Sequence, residues 1–580
     1  MAETSQEIEW QFDAPDLEAV DRWLRTQPSH AAFSLEARPP KHQRDTYFDT
    51  PDWRVFNAAY TLRVRAVADA FETTLKGRPT RGSGPVSRAE FTVPGGLPDA
   101  IEEPSAVGRR LQLMLRGHAP APLFTVATHR RAWLVRRGEV VIAEIALDET
   151  AIEAPGGTSG VLRRVEIEEV AAGSLGALDA FVTAIRTECG LTPAADSKFA
   201  SGLAIAGLTP GVPDLGPTEI ASDDRAVDRA YAVIRRRAAE FLAREAGTAL
   251  GEDVEQLHDM RVATRRLRAA LRVFDGVLPR ALMDTRDELR WFAQSLGAVR
   301  DLDVQLEHIA GLRDVAGWAE ATALAPLVTQ FERQHAQART ELLAVMDGER
   351  YARLVATLRR VLLAGPEAGV AEVASRDEAR RIILRRYRRF EADARALRRD
   401  SPHVQFHALR IRGKRLRYSV EFFVDLFGRS GARALTSLRA LQDLLGELQD
   451  LATTDLRLRD MVRDLPGELP ADTLVMIGRL MERHETRSRG IVRSFPRARA
   501  GVLRDFGRLQ RVLRAPDPEP PAPEPEPLSA PEPDPSPAVA PRPTAVTIIP
   551  PASSSVPAPI YPGPGRTLQS FVRFFRGRRP

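Results

Sequence analysis

The sequence predicts a multidomain α+β chain: a strand-rich N-terminal region, an all-α region built by duplication, and a C-terminal tail without a packed core. Three observations carry this. Hydrophobic alternation of period two fills residues 1–205 and gives way to helical periodicity over 217–512. Within the helical part, long motifs recur at one fixed spacing. After residue 512 proline alternates with acids, as in APEPEPLSAPEPDP.

The N-terminal region contains seven short alternating runs. They are EIEWQF at 7, YTLRVRA at 60, FETTLKG at 71, RAEFTV at 88, RRAWLVRR at 130, EVVIAEIALDE at 139 and RRVEIEEV at 163. Glycine and proline clusters such as GRPTRGSGPV punctuate them, which is turn chemistry. On nearly every run one face is charged, and both signs occur. Two architectures produce that pattern: a barrel with a polar lumen, or an antiparallel sheet with one wetted face.

On the first run Glu7, Glu9 and Gln11 share a face, because side chains two apart on a strand point the same way. Two converging carboxylates repel unless a cation lies between them, and hard oxygen donors suit Mg2+ or Mn2+. Further acids are Glu144, Asp148, Glu166 and Glu168. Opposing them are Arg63, Arg65, Lys76, Arg88, Arg130 or its neighbour Arg131, and Lys198. Bases suit the oxygens of a polyanion, and acids suit a metal that bridges them.

In the helical region HDMRVATRRLRAALRVF, from His258, is echoed by HALRIRGKRLRYSVEFF, from His407. LGAVRDLDV, with Gly297 and Asp301, is echoed by LGELQDLAT, with Gly446 and Asp450. Both pairs have the same offset of 149 residues, so the region predicts two similar antiparallel bundles about a rough two-fold axis. At helical spacing His258, Arg261, Arg265, Arg268 and Arg272 form one stripe, and His407, Arg410, Lys414 and Arg417 form its second copy. Two facing stripes would line a cationic groove for a long polyanion. Nucleic acid is the rival ligand, but the basic helices have few aromatics for base stacking and no nucleic-acid motif appears. No specific nucleic acid is therefore expected.

The bulk composition fits this reading. Of 580 residues 43% are hydrophobic and 28% charged, which is ordinary for soluble globular material. The single cysteine, Cys189, excludes an internal disulfide framework and fits a reducing cytoplasm. No apolar stretch approaches the ~18–20 residues that cross a bilayer. Residues 513–565 read as a disordered linker. At 566–580 Leu568, Phe571, Val572 and Phe575 would share the apolar face of a short basic helix, able to lie on an anionic membrane or dock on a partner protein.

Seven motifs in order (EIE at 7, YFDTPD at 47, LRVR at 62, TLKG at 74, ALDE at 146, EIE at 166 and SKF at 197) resemble the CYTH family of triphosphate tunnel metalloenzymes. Its members are inorganic triphosphatases, thiamine triphosphatases and one class of adenylate cyclase. The resemblance implies an eight-stranded antiparallel tunnel that binds a linear triphosphate, with Mg2+ or Mn2+ on its acidic wall. Carried over by position, Glu7, Glu9, Glu90, Asp148, Glu166 and Glu168 are metal-site acids. Arg63, Arg65, Lys76, Arg88, Arg130 and Lys198 are phosphate-binding bases. The family's first motif ends in lysine, where this chain has Gln11. Losing a charge-assisted contact costs about 1.5–3 kcal/mol, which slows such an enzyme without stopping it. Thr92 likewise stands where many members have another acid. HxxRVxxRRLRxxLxxF and LGxxRDxD similarly resemble the CHAD family of conserved-histidine helical domains, implying two four-helix bundles that bind inorganic polyphosphate. Lys414 and Gln449 stand where the first copy has Arg265 and Arg300.

The expected function is metal-dependent hydrolysis of inorganic triphosphate, tethered to a polyphosphate-binding module, in the cytoplasm and at polyphosphate deposits. Nucleotide cyclisation ranks below hydrolysis. The alternative is a catalytically weak polyphosphate scaffold or sensor. Asp301, Asp303 and Asp450 are expected to orient arginines, and His258 and His407 to contact phosphate or arrange the neighbouring bases.

Overall fold

The computed structural model describes residues 3–515, apart from 27–28, 31–32, 68–69, 80–83, 222–223, 314–321, 368–372 and 465–468. The expected linker at 513–565, beyond its first three residues, and the basic segment at 566–580 lie outside the described residues.

Eight antiparallel strands close into a barrel: β1 (Glu3–Asp13), β2 (Lys41–Asp49), β3 (Tyr60–Val67), β4 (Ala70–Gly77), β5 (Val86–Pro94), β6 (Ala121–Arg137), β7 (Val140–Glu153) and β8 (Ser159–Glu169). Around the wall the order is β6-β2-β3-β4-β5-β1-β8-β7, and pairing of β7 with β6 completes the ring. Of the two sequence readings, the barrel is the one found. Period-two alternation sets its two faces. Charged residues face the lumen, while Phe12, Ile145, Leu147, Val165 and Ile167 point outward into an apolar cluster with helices α1 (Leu17–Thr26) and α5 (Leu175–Glu188). A second outer cluster joins Val55, Leu62, Leu75 and Phe91 to α4 (Ala106–Leu115), after the short α3 (Leu97–Glu102). Two further short helices, α2 (Arg54–Asn57) and α6 (Lys198–Ile205), lie on the barrel.

The remainder is helical: α7 (Ala226–Ala243), α8 (Glu245–Leu250), α9 (Val254–Val273), α10 (Arg280–Arg313), α11 (Ala325–Asp347), α12 (Glu349–Ala364), α13 (Ser375–Ala396), α14 (His403–Glu421), α15 (Gly428–Asp464) and α16 (Ala471–Arg514). The sequence repeat is a structural one. Ala226 and Ser375 begin α7 and α13, and Val254 and His403 begin α9 and α14, each pair at the 149-residue offset. Two places mark the pseudo-two-fold axis, because equivalent residues meet each other there. Arg225 bridges Ala374, with reciprocal bonds from Ala226 N to Val373 O (2.7 Å) and from Ser375 N to Asp224 O (3.1 Å). Gln305 donates to its own counterpart, Thr454, at 3.1 Å. One continuous apolar core spans both repeats. Among the described residues no helix is long and apolar enough to cross a membrane.

Candidate functional site

The lumen is part of a continuous cavity of about 1620 Å³ that also reaches residues of α5 outside the barrel. Glu7, Glu9, Gln11, Arg63, Arg65, Lys76, Arg88, Glu90, Arg130, Glu166, Glu168 and Lys198 all line it. Among the expected acids Glu144 does not line it, and neither does Asp148. The latter is fully buried in the wall behind Arg130 and Lys198.

Strand register explains the convergence. Across neighbouring strands Glu7 opposes Arg88, Lys76 opposes Glu90, Arg130 opposes Asp148, Gln11 opposes Glu166 and Glu9 opposes Glu168. Opposed side chains on one face lie within contact distance, so the lumen is a ladder of cross-strand pairs. Lys76 Nζ reaches Glu7 at 2.7 Å and Glu90 at 3.1 Å. Arg88 reaches Glu7 and Glu9, each at 2.5 Å. On the opposite wall Arg130 spans Asp148 at 2.6 Å and Glu166 at 2.9 Å, and Lys198 holds the same two acids at 2.5 and 2.9 Å.

The charges are almost fully compensated inside the protein. Burial raises the cost of ionising Glu7, but Lys76 and Arg88 outweigh it and hold its pKa down at about 2. Glu166 is lowered in the same way by Lys198 and Arg130 against burial. Arg88 and Arg130 are pushed above the ordinary arginine range, because their carboxylates outweigh burial.

Two carboxyls are raised nonetheless, Glu9 in spite of its ion pair with Arg88, and they are cross-strand neighbours. Glu9 is raised to about 7 by burial and by Glu166 and Glu7. Glu168 is raised to about 7 by burial and by Glu7. Among the described residues no three His, Cys, Asp or Glu side chains converge as a ready-made metal cage. A Mg2+-like ion does not need one, since it characteristically takes one or two carboxylates and completes its shell with water and phosphate oxygens. The Glu9–Glu168 pair, with Glu7 beside it, fits that requirement. Asp148 has no exposed surface and fits it less well, while Glu166, like Glu7, is shared between two bases.

Gln11 does not take over the role of a lysine. Its amide donates to Glu9 Oε1 at 2.7 Å, so the donor is directed at the acidic wall and carries no charge to offset Glu9.

Asp45, absent from the sequence reading, is a lumen residue. It pairs with Arg65 at 2.7 Å and Arg63 at 3.4 Å and is lowered by Arg65 and Arg63 against burial. Tyr47 and Thr128 also line the cavity. The signal was present in KHQRDTYFD as Asp45, Tyr47 and Asp49 alternating, but the run has too few apolar residues to read as a strand.

The helical stripes do meet. Arg265 Nε donates to Tyr418 Oη at 2.9 Å across the two repeats. Lys414 lies among Arg410, Arg265, Arg261 and Arg417, and burial followed by these charges lowers it to about 7. The paired glycines explain the LG motifs. A Cβ on Gly297 would lie 4.0 Å from Arg261 Nε, and one on Gly446 would lie 3.8 Å from Arg410 Nε, so each arginine lies over its own repeat's glycine. Asp301 orients Arg261 at 3.5 Å and Arg457 at 2.9 Å. Asp303 pairs with His335 at 2.8 Å and with Arg300 at 3.9 Å. Asp450 is raised by burial, against Arg410, Lys414 and Arg261.

The two histidines differ. His407 Nδ1 bonds Gln449 at 2.5 Å. His258 has Arg300 in the corresponding place, its Nδ1 is buried without a partner, and burial followed by Arg300 lowers it to about 4.

The stripe is not one uniform track. Arg268 and Arg272 are lowered by burial and by a second set of bases that includes Arg286, Arg290 and Arg415. Arg417 is engaged by Gln442 at 2.8 Å and Glu421 at 3.1 Å. Arg286, Arg290, Arg300 and Arg415 are thus basic-cluster residues outside the predicted stripe.

A closed antiparallel tunnel lined with interleaved acids and bases, followed by a duplicated helical module with a shared basic cluster, defines a two-domain architecture. Residues 6–199 match the family model for the CYTH domain and residues 232–459 that for the CHAD domain, so the chain carries a CYTH domain followed by a CHAD domain. Similar solved structures include the CHAD domain of the plant Ricinus communis, 26% identical over 50% of this chain and 96% of that one, with TM-score 0.43. A Hippeastrum protein, named as an adenylyl cyclase with a dominant triphosphatase activity, is 20% identical over 35% of this chain and 97% of its own, with TM-score 0.27. PptA from Streptomyces chartreusis is 20% identical over 49% of this chain and 100% of that one, with TM-score 0.38. No curated protein matches the chain.

Proposed function

We propose that the tunnel hydrolyses inorganic triphosphate with a divalent metal, Mg2+ or Mn2+, and that the helical domain binds inorganic polyphosphate. One observation carries the first half: six lumen bases, five on strands and Lys198 on α6, are held in place by carboxylates of the barrel strands. Such preorganised donors need no rearrangement as charge develops on the phosphoryl oxygens. Arg63, Arg65 and Lys76 on one wall, with Arg130 and Lys198 on the other, would grip a linear triphosphate end to end. Water then attacks the terminal phosphoryl group, pyrophosphate departs, and Arg88 stabilises the charge that builds on the oxygens. Glu7, Glu9 and Glu168 would hold the metal, whose charge offsets that of the phosphate oxygens.

Gln11 favours a second reading, in which the tunnel binds triphosphate but turns it over slowly and the protein serves mainly as a polyphosphate scaffold or sensor. In either reading the helical domain would place the chain on polyphosphate deposits. The test is phosphate release from inorganic triphosphate with and without Mg2+ or Mn2+. Release that requires metal supports the triphosphatase. Triphosphate binding without release supports the scaffold.

A further inference from the structure

The two domains share a buried seam next to the tunnel. Arg54 of α2 is 3% exposed and its guanidinium reaches Glu245, at the start of α8, at 3.1 Å. Its Nε donates to Met114 O at 2.7 Å. Arg116 reaches the same Glu245 oxygen at 3.4 Å. Ala246 and Leu250 of α8 complete the apolar cluster that contains Val55 and Ala58. Farther out, Asp52 pairs with Arg359 of α12 at 3.1 Å.

The other side of α2 faces the lumen. Phe56, two residues from Arg54, lines the cavity and stacks on Phe199 with ring centroids 6.3 Å apart. Phe199 adjoins Lys198, the base that holds Asp148 and Glu166. A four-residue helix thus has the helical domain on one face and a wall of the phosphate site on the other.

α2 is also strained. Trp53, just before it, has φ 59° and ψ 42°, and Ala59, just after it, has φ 68°. Non-glycine residues keep such conformations only where their surroundings over-determine them. From the barrel side Asp49 does this, accepting the N–H groups of Thr50, Val55 and Phe56 at 2.7, 3.0 and 2.8 Å. From the other side the constraint is Glu245.

We propose that Glu245 of the helical domain is a positioning residue for the tunnel: through Arg54 and strained α2 it fixes the Phe56–Phe199 wall and thereby Lys198. This rests on the tunnel being a triphosphate site. Relaxing Glu245 lets α2 settle toward ordinary backbone geometry and moves the wall that Lys198 stands beside. Lys198 would bind phosphate equally before and during reaction, so the loss falls on substrate binding rather than on the chemical step.

The test uses the full chain and two readouts. Binding of inorganic triphosphate is measured by calorimetry without added metal, and KM and kcat are measured with Mg2+. Glu245→Gln is expected to weaken binding and raise KM roughly three- to tenfold, with kcat within about twofold. Glu245→Asp should recover part of the loss. Arg359→Ala, which cuts the outer ion pair of the same seam, should leave binding unchanged. Phe56→Leu keeps the ion pair, alters the wall, and should reproduce the rise in KM, which keeps the test decisive where Glu245→Gln does not fold. Unchanged affinity in folded Glu245→Gln or in Phe56→Leu overturns the proposal, as does equal weakening in Arg359→Ala. A wild type that binds triphosphate but releases no phosphate contradicts the catalytic reading and leaves the binding comparison intact.

Discussion

The tunnel and the basic cluster of the helical domain are both rich in arginine, yet their bases sit in opposite electrostatic circumstances. Arg88 and Arg130 are more basic than free arginine, because carboxylates on adjoining strands outweigh burial. Arg261, Arg268, Arg272 and Arg410 are all less basic, because burial acts on them along with other bases. Arg386 is the most pronounced case, lowered to about 10 by burial and by Arg385, Arg272 and Arg415. A tunnel that neutralises itself has a defined shape before ligand arrives, which suits chemistry on a short substrate. A cluster in which bases outnumber their acids stores repulsion that a polyanion would relieve, which would suit the proposed retention of a long one.

Stability should separate the two regions most strongly. Arg130→Ala leaves Asp148, which has no exposed surface, with Lys198 as its remaining basic partner. Breaking a buried pair costs about 3 kcal/mol, so thermal denaturation should show a clear loss for the barrel. Next in size is Gln11→Lys. Restoring the charge should raise triphosphate turnover by roughly ten- to hundredfold, and steady-state assays showing no gain would mean that Gln11 is not what limits the site. Smaller is Arg261→Ala, which should leave the unfolding free energy unchanged or slightly higher, by less than about 1 kcal/mol, since it removes a base from a crowd of bases. A loss equal to that of Arg130→Ala would erase the contrast.

The smallest effect concerns pH. Lys414 is lowered to about 7, by burial and then by its basic neighbours. A bound polyanion favours its protonated form, so binding above pH 7 takes up a proton and affinity falls as pH rises through 7. Polyphosphate titrations at pH 6 and pH 8 should differ by a few fold, weaker at pH 8, and Lys414→Met should flatten the difference.

Much of this was legible in the sequence, for definable reasons. Charged alternation on seven strands located most of the lumen, since strand periodicity assigns faces directly. The 149-residue offset exposed the duplication, and the structure places equivalent residues in contact at Arg225–Ala374 and Gln305–Thr454. The eighth strand, Lys41–Asp49, escaped because KHQRDTYFD begins with polar residues and shows little apolar alternation, and Asp45 escaped with it. Asp148 read as a lumen acid because its strand alternates correctly, but how deep a residue sits depends on its neighbours. The division of the basic stripe was also illegible, because Arg268 and Arg272 feel the repulsion of Arg286 and Arg290 on another helix, a tertiary fact with no local signal. The seam at Arg54 and Glu245 joins residues 191 apart and leaves no periodic trace.

The most direct test of the contrast is a crossed measurement on three proteins: wild type, Glu7→Ala, and Arg261→Ala with Arg410→Ala. Each is assayed for Mg2+-dependent phosphate release from inorganic triphosphate and for binding of long-chain polyphosphate. The account predicts that Glu7→Ala loses release and keeps polyphosphate binding, while the double variant keeps release and loses binding. Release that survives in Glu7→Ala, or polyphosphate binding unchanged in the double variant, would contradict it.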